Sequence, residues 1–488
     1  MTSPVTPDWV RDAIFYQIFP DRFARTERLS KPSNLEPWDS APTVHGFKGG
    51  DLLGVVDHLD YLQDLGITAI YLNPIFQSAA NHRYHTHDYY QVDPILGGND
   101  ALRTLLDQAH QRGIYVILDG VFNHASRGFF QFHHIVENGP ASPYIDWFIV
   151  KRFPLRPYHA PKNEHGYEAW WDLPALPKLN VDNQAVRAFL WDVACHWIDY
   201  GIDGWRLDVP AEIDDDGFWQ EFRARVKAIN PEAYIVGEIW DDASRWLKGD
   251  QFDAVMNYLF TRACLGFFVG DNLLQAEIAG TAYHQIDPLD AEEFAEEIDR
   301  LLDLYPRAIT EVQYNLLGSH DTARFKTLAR DDNSAYRLAT MFQMTYPGAP
   351  SIYYGDESGM EGHHDPDCRR SFPWDENRWD REMRDYVQKC ISLRRSRPEL
   401  RAGSFDWLFA GQGIVAYLRK GDQGSVVVAL NNTRQPVTID LPVVDRLEEG
   451  TALRDIWEGR TFHVTRGQLP GIRLPARSGV VLASIGVP

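Results

Sequence analysis

Eight short apolar runs recur between residues 13 and 357, and segments with helical spacing separate most of them. The runs are continuously apolar, which is typical of parallel strands covered on both faces. Eight such strands alternating with helices predict an α/β fold of the (β/α)8 TIM barrel type. A six-stranded doubly wound sheet is the alternative, but no G-x-G-x-x-G follows an early strand. The predicted strands begin at Ala13, Ala69, Tyr115, Gly204, Tyr234, Phe252, Asn315 and Ser351.

Two segments depart from this alternation. From Asn123 to about Lys178 the chain is rich in proline, histidine and aromatic residues with a weak helical pattern, so we predict a small inserted domain after the third strand. From about Ala402 apolar and polar residues alternate between Gly and Asn turns, which predicts a C-terminal antiparallel β-sandwich. The predicted division is a barrel over residues 1–122 and 179–401, an inserted domain over 123–178 and a sandwich over 402–488.

Composition and charge exclude several classes of partner. The formal net charge of -21 disfavours nucleic acid and anionic lipid. No stretch approaches ~18 uninterrupted apolar residues, and no basic segment followed by an apolar run opens the chain, so neither a membrane span nor a signal peptide is predicted. The cysteines lack metal-ligand spacing and disulfide density, which favours free thiols in a reducing cytoplasm; they are Cys195, Cys264, Cys368 and Cys390.

Polar residues close several of the predicted strands, and barrel active sites lie at the carboxyl ends of the strands. A single carboxylate at a strand end is most simply a helix cap. Several that meet at one barrel mouth raise one another's pKa and cost stability, which indicates a functional site. The residues at these ends are Asp119 with Asn123 and His124, Arg206 with Asp208, Glu238, and His320 with Asp321.

Paired carboxylates suit glycoside cleavage, because one must donate a proton to the leaving oxygen while the other attacks or supports the cationic carbon. Arg206 and Asp208 are two apart on a strand and so share a face, where the cation is expected to hold Asp208 ionised. Glu238 follows an apolar run and precedes Ile239 and Trp240, so its pKa is expected to rise, which suits a general acid/base.

These segments resemble, in order and approximate spacing, the conserved regions of the alpha-amylase family of glycoside hydrolases. Within that family the neopullulanase, cyclomaltodextrinase and maltogenic amylase group is most similar, through LPKLN, FYQIFPDRFA, GDQFDAVMNY and DPDCRR. The resemblance runs from about residue 12 to the end. The segments that resemble the family regions are DGVFNH (119–124), GWRLDV (204–209), GEIW (237–240), GSHDT (318–322) and GAPSIYYGDE (348–357).

The resemblance implies a retaining hydrolase that cleaves α-1,4 glucosidic bonds in maltooligosaccharides, pullulan or cyclodextrins through a covalent glycosyl-enzyme, with α-1,6 cleavage left open. It implies that Asp208 is the nucleophile, Glu238 the acid/base and Asp321 the stabiliser of the transition state. The implied substrate-binding residues are Tyr84, His124, Arg206, Trp240 and His320. Considered alone, Trp240 fits a core position equally well, and so do Trp170 and Trp171 of the predicted inserted domain.

Several positions depart from the family pattern. The loop RTERLSKPSNLEPWDS has no Asp-x-Asn-x-Asp pattern, and Glu212 stands where calcium-binding amylases have histidine, so we predict no metal site and no required cofactor. His85 and Asp241 replace residues common in the group at subsite borders. The group's usual N-terminal β-domain is not evident before the barrel, and the oligomeric state is left open.

Two other functions remain open at this stage. A transglycosylase or isomerising enzyme would pass the covalent intermediate to a sugar rather than to water, and the same motifs would serve it. A non-enzymatic scaffold is the remote alternative, as in the amino-acid transporter heavy chains, which have a membrane span and have lost the catalytic carboxylates. Neither of those features is found in this sequence.

Overall fold

The computed structural model describes residues 4–158 and 161–485. All eight predicted barrel strands are present and parallel, and each is largely buried, as expected for strands covered on both faces. They are β1 (Phe15–Ile18), β2 (Ala69–Leu72), β3 (Tyr115–Gly120), β4 (Gly204–Leu207), β5 (Tyr234–Gly237), β6 (Ala254–Val255), β7 (Tyr314–Leu316) and β8 (Ala349–Tyr353).

The strands pair in the order β6-β5-β4-β3-β2-β1-β8-β7. A parallel bridge between Met256 and Tyr314 joins the two ends of this sheet, and the Asn257 N–H donates to the Tyr314 carbonyl at 2.8 Å. The sheet is therefore closed into a barrel, and the predicted TIM-barrel fold is confirmed. The doubly wound alternative is wrong, because an open sheet would leave these two strands unpaired.

Helices cover the outside of the barrel, and those longer than ten residues alternate with the strands. Gly66 and Gly201 lie directly after two of the helices, Leu59–Leu65 and Gln184–Tyr200, in left-handed conformation at φ 98° and 108°. No helix connects β5 to β6 across the described residues 238–253. The α-helices are Asp8–Arg11, Pro20–Phe23, Leu52–Asp57, Leu59–Leu65, Gly98–Gln111, Phe130–Asn138, Gln184–Tyr200, Asp216–Ile229, Tyr258–Cys264, Ala291–Leu304, Arg307–Thr310, Phe325–Leu328, Asn333–Thr345, Arg381–Ser396 and Pro398–Ala402.

The long connection after β3 is an excursion over the barrel mouth. Its one α-helix in the described residues, Phe130–Asn138, was missed because only Phe132 and Ile135 are buried along it. Isolated bridges hold the rest together, including Phe148 with Leu179 and Val150 with Tyr167. A second excursion after β2 forms a hairpin of Phe76–Ser78 and Thr86–Val92.

The C-terminal part is the predicted antiparallel β-sandwich. A six-stranded sheet contains β9 and β10, and a two-stranded sheet faces it across a core that includes Leu418, Leu441 and Ile472. The exact domain boundaries stay predictions. The strands are β9 (Ser404–Gly411), β10 (Ile414–Gly421), β11 (Gly424–Asn431), β12 (Val437–Pro442), β13 (Ala452–Asp455), β14 (Thr461–His463), β15 (Gln468–Leu474) and β16 (Ser478–Ser484).

The sandwich packs against the barrel through a buried arginine. Arg419 on β10 is fully buried and donates to the carbonyls of Ser404 at 2.8 Å and Leu400 at 2.9 Å, and also to that of Thr345. Burial lowers its pKa to about 10. Its guanidinium therefore satisfies main-chain oxygens on both sides of the contact between barrel and sandwich.

Candidate active site

Arg206 lies at the centre of a group of carboxylates at the carboxyl ends of β3, β4 and β5. Its Nη1 lies 2.9 Å from Asp119 Oδ1 and 3.0 Å from Asp208 Oδ1, and its Nη2 lies 2.8 Å from Glu238 Oε2. The Nη1 contacts are hydrogen bonds, whereas the Nη2 contact is an ion pair without hydrogen-bond alignment. The structure thus brings together Asp208, Glu238 and Arg206, with Asp119 behind them.

One guanidinium faces three buried carboxylates. Burial raises the pKa of Asp208 and of Glu238, and the positive charge of Arg206 offsets this only in part. Burial likewise raises the pKa of Asp119 to about 6. The expectation that Arg206 keeps Asp208 ionised is therefore incomplete, because the cation is shared. Three like charges around one cation favour a proton on one carboxyl, which general acid catalysis needs.

Glu238 is oriented from two directions. The Val209 N–H donates to Oε2 at 3.1 Å, and the Trp240 indole N–H donates to Oε1 at 3.2 Å. Val209 has φ 36°, an unusual conformation for a β-branched residue, which turns its amide towards Glu238. Trp240 stacks on Tyr258 with ring centroids 3.5 Å apart. The structure therefore places Trp240 beside the carboxyl while its far face packs in the protein.

Asp321 lies on the opposite side of the barrel mouth, after β7. Its side chain remains 30% exposed, and it contacts Arg369 Nη2 at 3.2 Å and His320 Nε2 at 3.1 Å. Burial, followed by the charge of Arg369, lowers the pKa of His320 well below its ordinary value, so the ring is neutral. The Gln17 amide donates to His320 Nδ1 at 2.8 Å, which leaves the ring proton on Nε2, where the Tyr84 hydroxyl accepts it.

Tyr84 links the two sides of the mouth. Its hydroxyl lies 2.6 Å from His320 Nε2 and donates to Asp119 Oδ2 at 2.9 Å. Its ring is parallel to that of His320, with centroids 5.5 Å apart. The loop that follows β2 therefore delivers Tyr84 to the same group as the strand-end carboxylates.

Unlike the other predicted substrate-binding residues, His124 makes no hydrogen bond or ion pair with Asp119, Asp208, Glu238 or Asp321 among the described residues. It is buried and its ring stacks on Trp170 with centroids 5.3 Å apart. Its Nε2 has no hydrogen-bond partner among the described residues. Burial lowers the pKa of His124 to about 3, so its ring is neutral. An unpaired buried nitrogen costs stability, and a substrate hydroxyl would satisfy it.

Sequence reasoning missed several residues of this group. The Tyr71 hydroxyl donates to Asp119 Oδ2 at 2.5 Å, and the Asn73 amide donates to Tyr84 at 3.1 Å. Arg369 stands out in the sequence only as part of DPDCRR. Tyr71 and Asn73 close the second strand with polar groups, which is the signal used for the other strands. Among the described residues no three His, Cys, Asp or Glu side chains are grouped to hold a metal ion.

Comparisons with known proteins agree with this fold. A model of the alpha-amylase catalytic domain matches residues 17–407, and a neopullulanase-like C-terminal domain matches residues 405–482. A cyclomaltodextrinase from a Bacillus species is 46% identical over 437 residues, which cover 89% of this chain and 75% of that protein. An intracellular maltogenic amylase from Bacillus subtilis is 37% identical over 464 residues, covering 94% and 74%.

Among solved structures, a debranching enzyme from Nostoc punctiforme is 48% identical with a TM-score of 0.89, and the match covers 100% of both chains. A closed (β/α)8 barrel with these carboxylates at its mouth suits a glycoside hydrolase, and the relatives named cyclomaltodextrinase and maltogenic amylase establish that class. The family matches go further: the chain belongs to the alpha-amylase family and ends in a neopullulanase-like C-terminal domain. The scaffold alternative has no support, since the curated relatives are named as enzymes.

Proposed function

We propose that this enzyme hydrolyses α-1,4 glucosidic bonds of α-glucans with retention, using Asp208 as nucleophile and Glu238 as acid/base. The observation that supports this most strongly is that one guanidinium contacts both carboxyls, at 3.0 Å and 2.8 Å. A retaining mechanism requires two carboxyl groups about 5–5.5 Å apart. Contact with one planar cation keeps both groups within reach of a single glucosyl unit, as both steps of that reaction require.

In the first step Asp208 attacks the anomeric carbon while Glu238 donates its proton to the glycosidic oxygen. The bond between carbon and oxygen breaks, the leaving sugar departs, and an ester joins the glycosyl unit to Asp208. In the second step Glu238 accepts a proton from water, whose oxygen attacks the same carbon and releases Asp208. Two inversions give net retention.

The remaining residues are proposed to bind the glucosyl unit in the cleavage site. Asp321 and the neutral His320 face its hydroxyls, and these contacts strengthen as the ring distorts. Tyr84 offers an aromatic face, and His124 offers its unpaired Nε2. Trp240 borders the leaving group, because its indole N–H already contacts the acid Glu238.

Maltooligosaccharides, pullulan and cyclodextrins are the proposed substrates. The names of the relatives, a cyclomaltodextrinase and a debranching enzyme, support α-1,4 and α-1,6 cleavage respectively. We propose no required metal or cofactor, since the two steps need only carboxyls and water. A cytoplasmic location is proposed from four free thiols and from the relative named intracellular. In the described residues, no helix combines the length and apolarity needed to cross a bilayer.

The test is incubation with maltotriose, panose, pullulan and β-cyclodextrin, followed by product chromatography and early NMR spectra of the new reducing ends. The proposal predicts hydrolysis products that are released first as the α-anomer. Release of the β-anomer would contradict retention. Products longer than the substrate at high maltotriose would instead indicate the transglycosylase, which shares the first step.

A further inference from the structure

Trp171 is the most exposed tryptophan in the described residues, and it stacks on Trp170, which in turn stacks on His124 of the candidate active site. Its side chain is 76% exposed. Burying an aromatic ring of this size is favourable, so such exposure indicates a surface that a ligand covers. We propose that Trp171 is a stacking surface for a glucosyl unit of the α-glucan chain outside the cleavage site. This inference rests on the proposed function and extends it to chain length.

An aromatic stack connects Trp171 to the cleavage site. Its ring is nearly parallel to that of Trp170, with centroids 4.6 Å apart, and Trp170 in turn stacks on His124 at 5.3 Å. One face of Trp171 is therefore covered by Trp170, and its exposure belongs to the other face. The open face of Trp171 is therefore at the end of the stack farthest from His124, where a glucan chain that follows the stack outward from the cleavage site would reach it.

The backbone holds Trp171 in this position in a conformation of unfavourable free energy. Trp171 has φ 49° and Asp172 has φ 58°, and non-glycine residues rarely adopt this left-handed region. The Asp172 carboxylate fixes the turn by accepting from the Asn163 N–H at 2.7 Å and contacting His165 Nε2 at 3.2 Å. Strain kept in place by such contacts beside an active site is typical of functional segments.

The surroundings of Trp171 suit a neutral, polyhydroxylated ligand. A cleft of about 470 Å³ lies against Trp170 and Trp171, and its other walls are polar. The charged side chains of the lining balance: Lys151 pairs with Glu168 at 3.1 Å and Lys178 with Glu212 at 3.7 Å, and Arg152 lines the same cleft as Asp172. Paired charges offer hydrogen-bond partners without net attraction for an anion, so the cleft suits a sugar better than a phosphate.

The same cleft is lined by two residues, Lys178 and Glu212, that adjoin segments of the candidate active site. Lys178 Nζ donates to the Glu212 carbonyl at 2.9 Å, and Glu212 follows Asp208 by four residues. Lys178 also pairs with His124 in a backbone bridge. The cleft therefore lies between the segment that follows the nucleophile and the segment that contains His124, so a chain bound in the active site can extend into it.

The test compares Trp171→Ala with wild type on maltooligosaccharides from three to seven glucose units. Positive φ is unfavourable for alanine as it is for tryptophan, so the substitution leaves the free energy of the backbone conformation nearly unchanged. Loss of one stacking contact is expected to raise KM roughly tenfold. The increase in KM should begin at one chain length and persist for all longer chains. Trp171→Tyr should restore most of the loss. Trp457→Ala is the control, because Trp457 is an exposed tryptophan in the turn between β13 and β14 of the C-terminal sandwich.

An equal rise in KM at every length, or no rise at any length, would overturn the inference. Calorimetric binding of maltoheptaose to Asp208→Asn and to Asp208→Asn/Trp171→Ala separates this inference from the proposed function. Weaker binding by the double variant, together with no turnover by wild type, would contradict the proposed reaction and leave the stacking surface supported. Equal binding by the two variants would overturn the stacking surface alone.

Discussion

At the scale of single residues, the chemistry depends on how Arg206 is shared. Asp119 and Asp208 receive hydrogen bonds from Nη1, while Glu238 faces Nη2 in an ion pair without an aligned hydrogen bond. Glu238 is held instead by two neutral donors, the Val209 amide and the Trp240 indole. Neutral donors position a carboxyl with less stabilisation of its anion than a cation provides, which suits a group that must gain and lose a proton in each cycle.

Replacing Glu238 by Gln removes proton donation and keeps the shape of the side chain. We expect turnover of natural glucans to fall by about 10²–10⁴-fold, and turnover of an α-maltosyl substrate with a good leaving group to fall far less in its first step. Steady-state kinetics on both substrates make the comparison. Equal losses on the two would contradict the assignment of Glu238 as the acid.

The raised pKa of Glu238 sets the alkaline side of the pH profile. Burial is the main cause, the charge of Asp321 adds to it, and Arg206 opposes it. Because the acid acts only when protonated, kcat/KM is expected to fall as the pH rises through this raised pKa. The amide in Glu238→Gln has no ionisable proton. The fall of kcat/KM at high pH should therefore disappear when the variant acts on the substrate with a good leaving group. If kcat/KM of the variant still falls at high pH as it does in wild type, the alkaline fall comes from a group other than Glu238.

The sequence predicted most of these residues, because each follows an apolar strand. It did not predict the contacts between them. His124 stacks on Trp170 rather than contacting a carboxylate, which follows from the path of the excursion after β3. Trp240 could not be assigned to core or subsite because it serves both, with one face on Tyr258 and its N–H on Glu238.

At the scale of strands and helices, register places the carboxylates. Gly204 pairs with Tyr234 between β4 and β5, so Asp208 and Glu238 leave neighbouring strands at the same level. The strand predicted to begin at Phe252 is shorter than its apolar run FDAVMNY, because only Ala254–Val255 pairs continuously. Asn257 ends it by capping the next helix, accepting from the Phe260 N–H at 3.1 Å. Apolar periodicity does not reveal such a cap when the following helix is also apolar.

Gly204→Ala tests this register. A Cβ there would lie 2.1 Å from the Tyr234 carbonyl oxygen, a backbone atom of the next strand that cannot move away cheaply. We expect a loss of unfolding free energy of about 3 kcal/mol or more and a loss of activity, since β4 and β5 must separate. Chemical denaturation and kinetics measure the two effects.

Gly217→Ala is the matched control, because the nearest atom to its added Cβ is Asp215 Oδ1, in a side chain, at 3.2 Å, and Gly217 lies in a helix. Alanine should leave stability unchanged or raise it by up to about 1 kcal/mol. Near-wild-type stability of Gly204→Ala would show that the two strands are less tightly packed than this register requires.

At the scale of the whole molecule, the C-terminal sandwich is bound to the barrel. Alternation along GIVAYLRK predicted one buried face for β10, but both faces are buried. Leu418 faces the sandwich core, whereas Tyr417 and Arg419 face the barrel. The sequence pattern shows that a strand is buried and does not show what covers it, so this contact was not predictable.

Arg419→Leu should leave several buried carbonyls without a donor. We expect a loss of unfolding free energy on the order of 3 kcal/mol, with both parts unfolding in one transition. Lys420→Leu, at the neighbouring exposed position, should change stability by less than about 0.5 kcal/mol. Calorimetry of both variants makes the measurement. Two separate transitions in wild type would contradict a tightly coupled barrel and sandwich.

The most direct measurement for the central claim is to trap the intermediate. Incubation with a fluorinated α-maltosyl fluoride slows the release of the glycosyl unit, and digestion followed by mass spectrometry locates it. We predict a glycosyl ester on Asp208, absent in Asp208→Asn and formed in Glu238→Gln. A glycosyl group on another residue, or turnover of the reagent without any adduct, would contradict the proposed reaction.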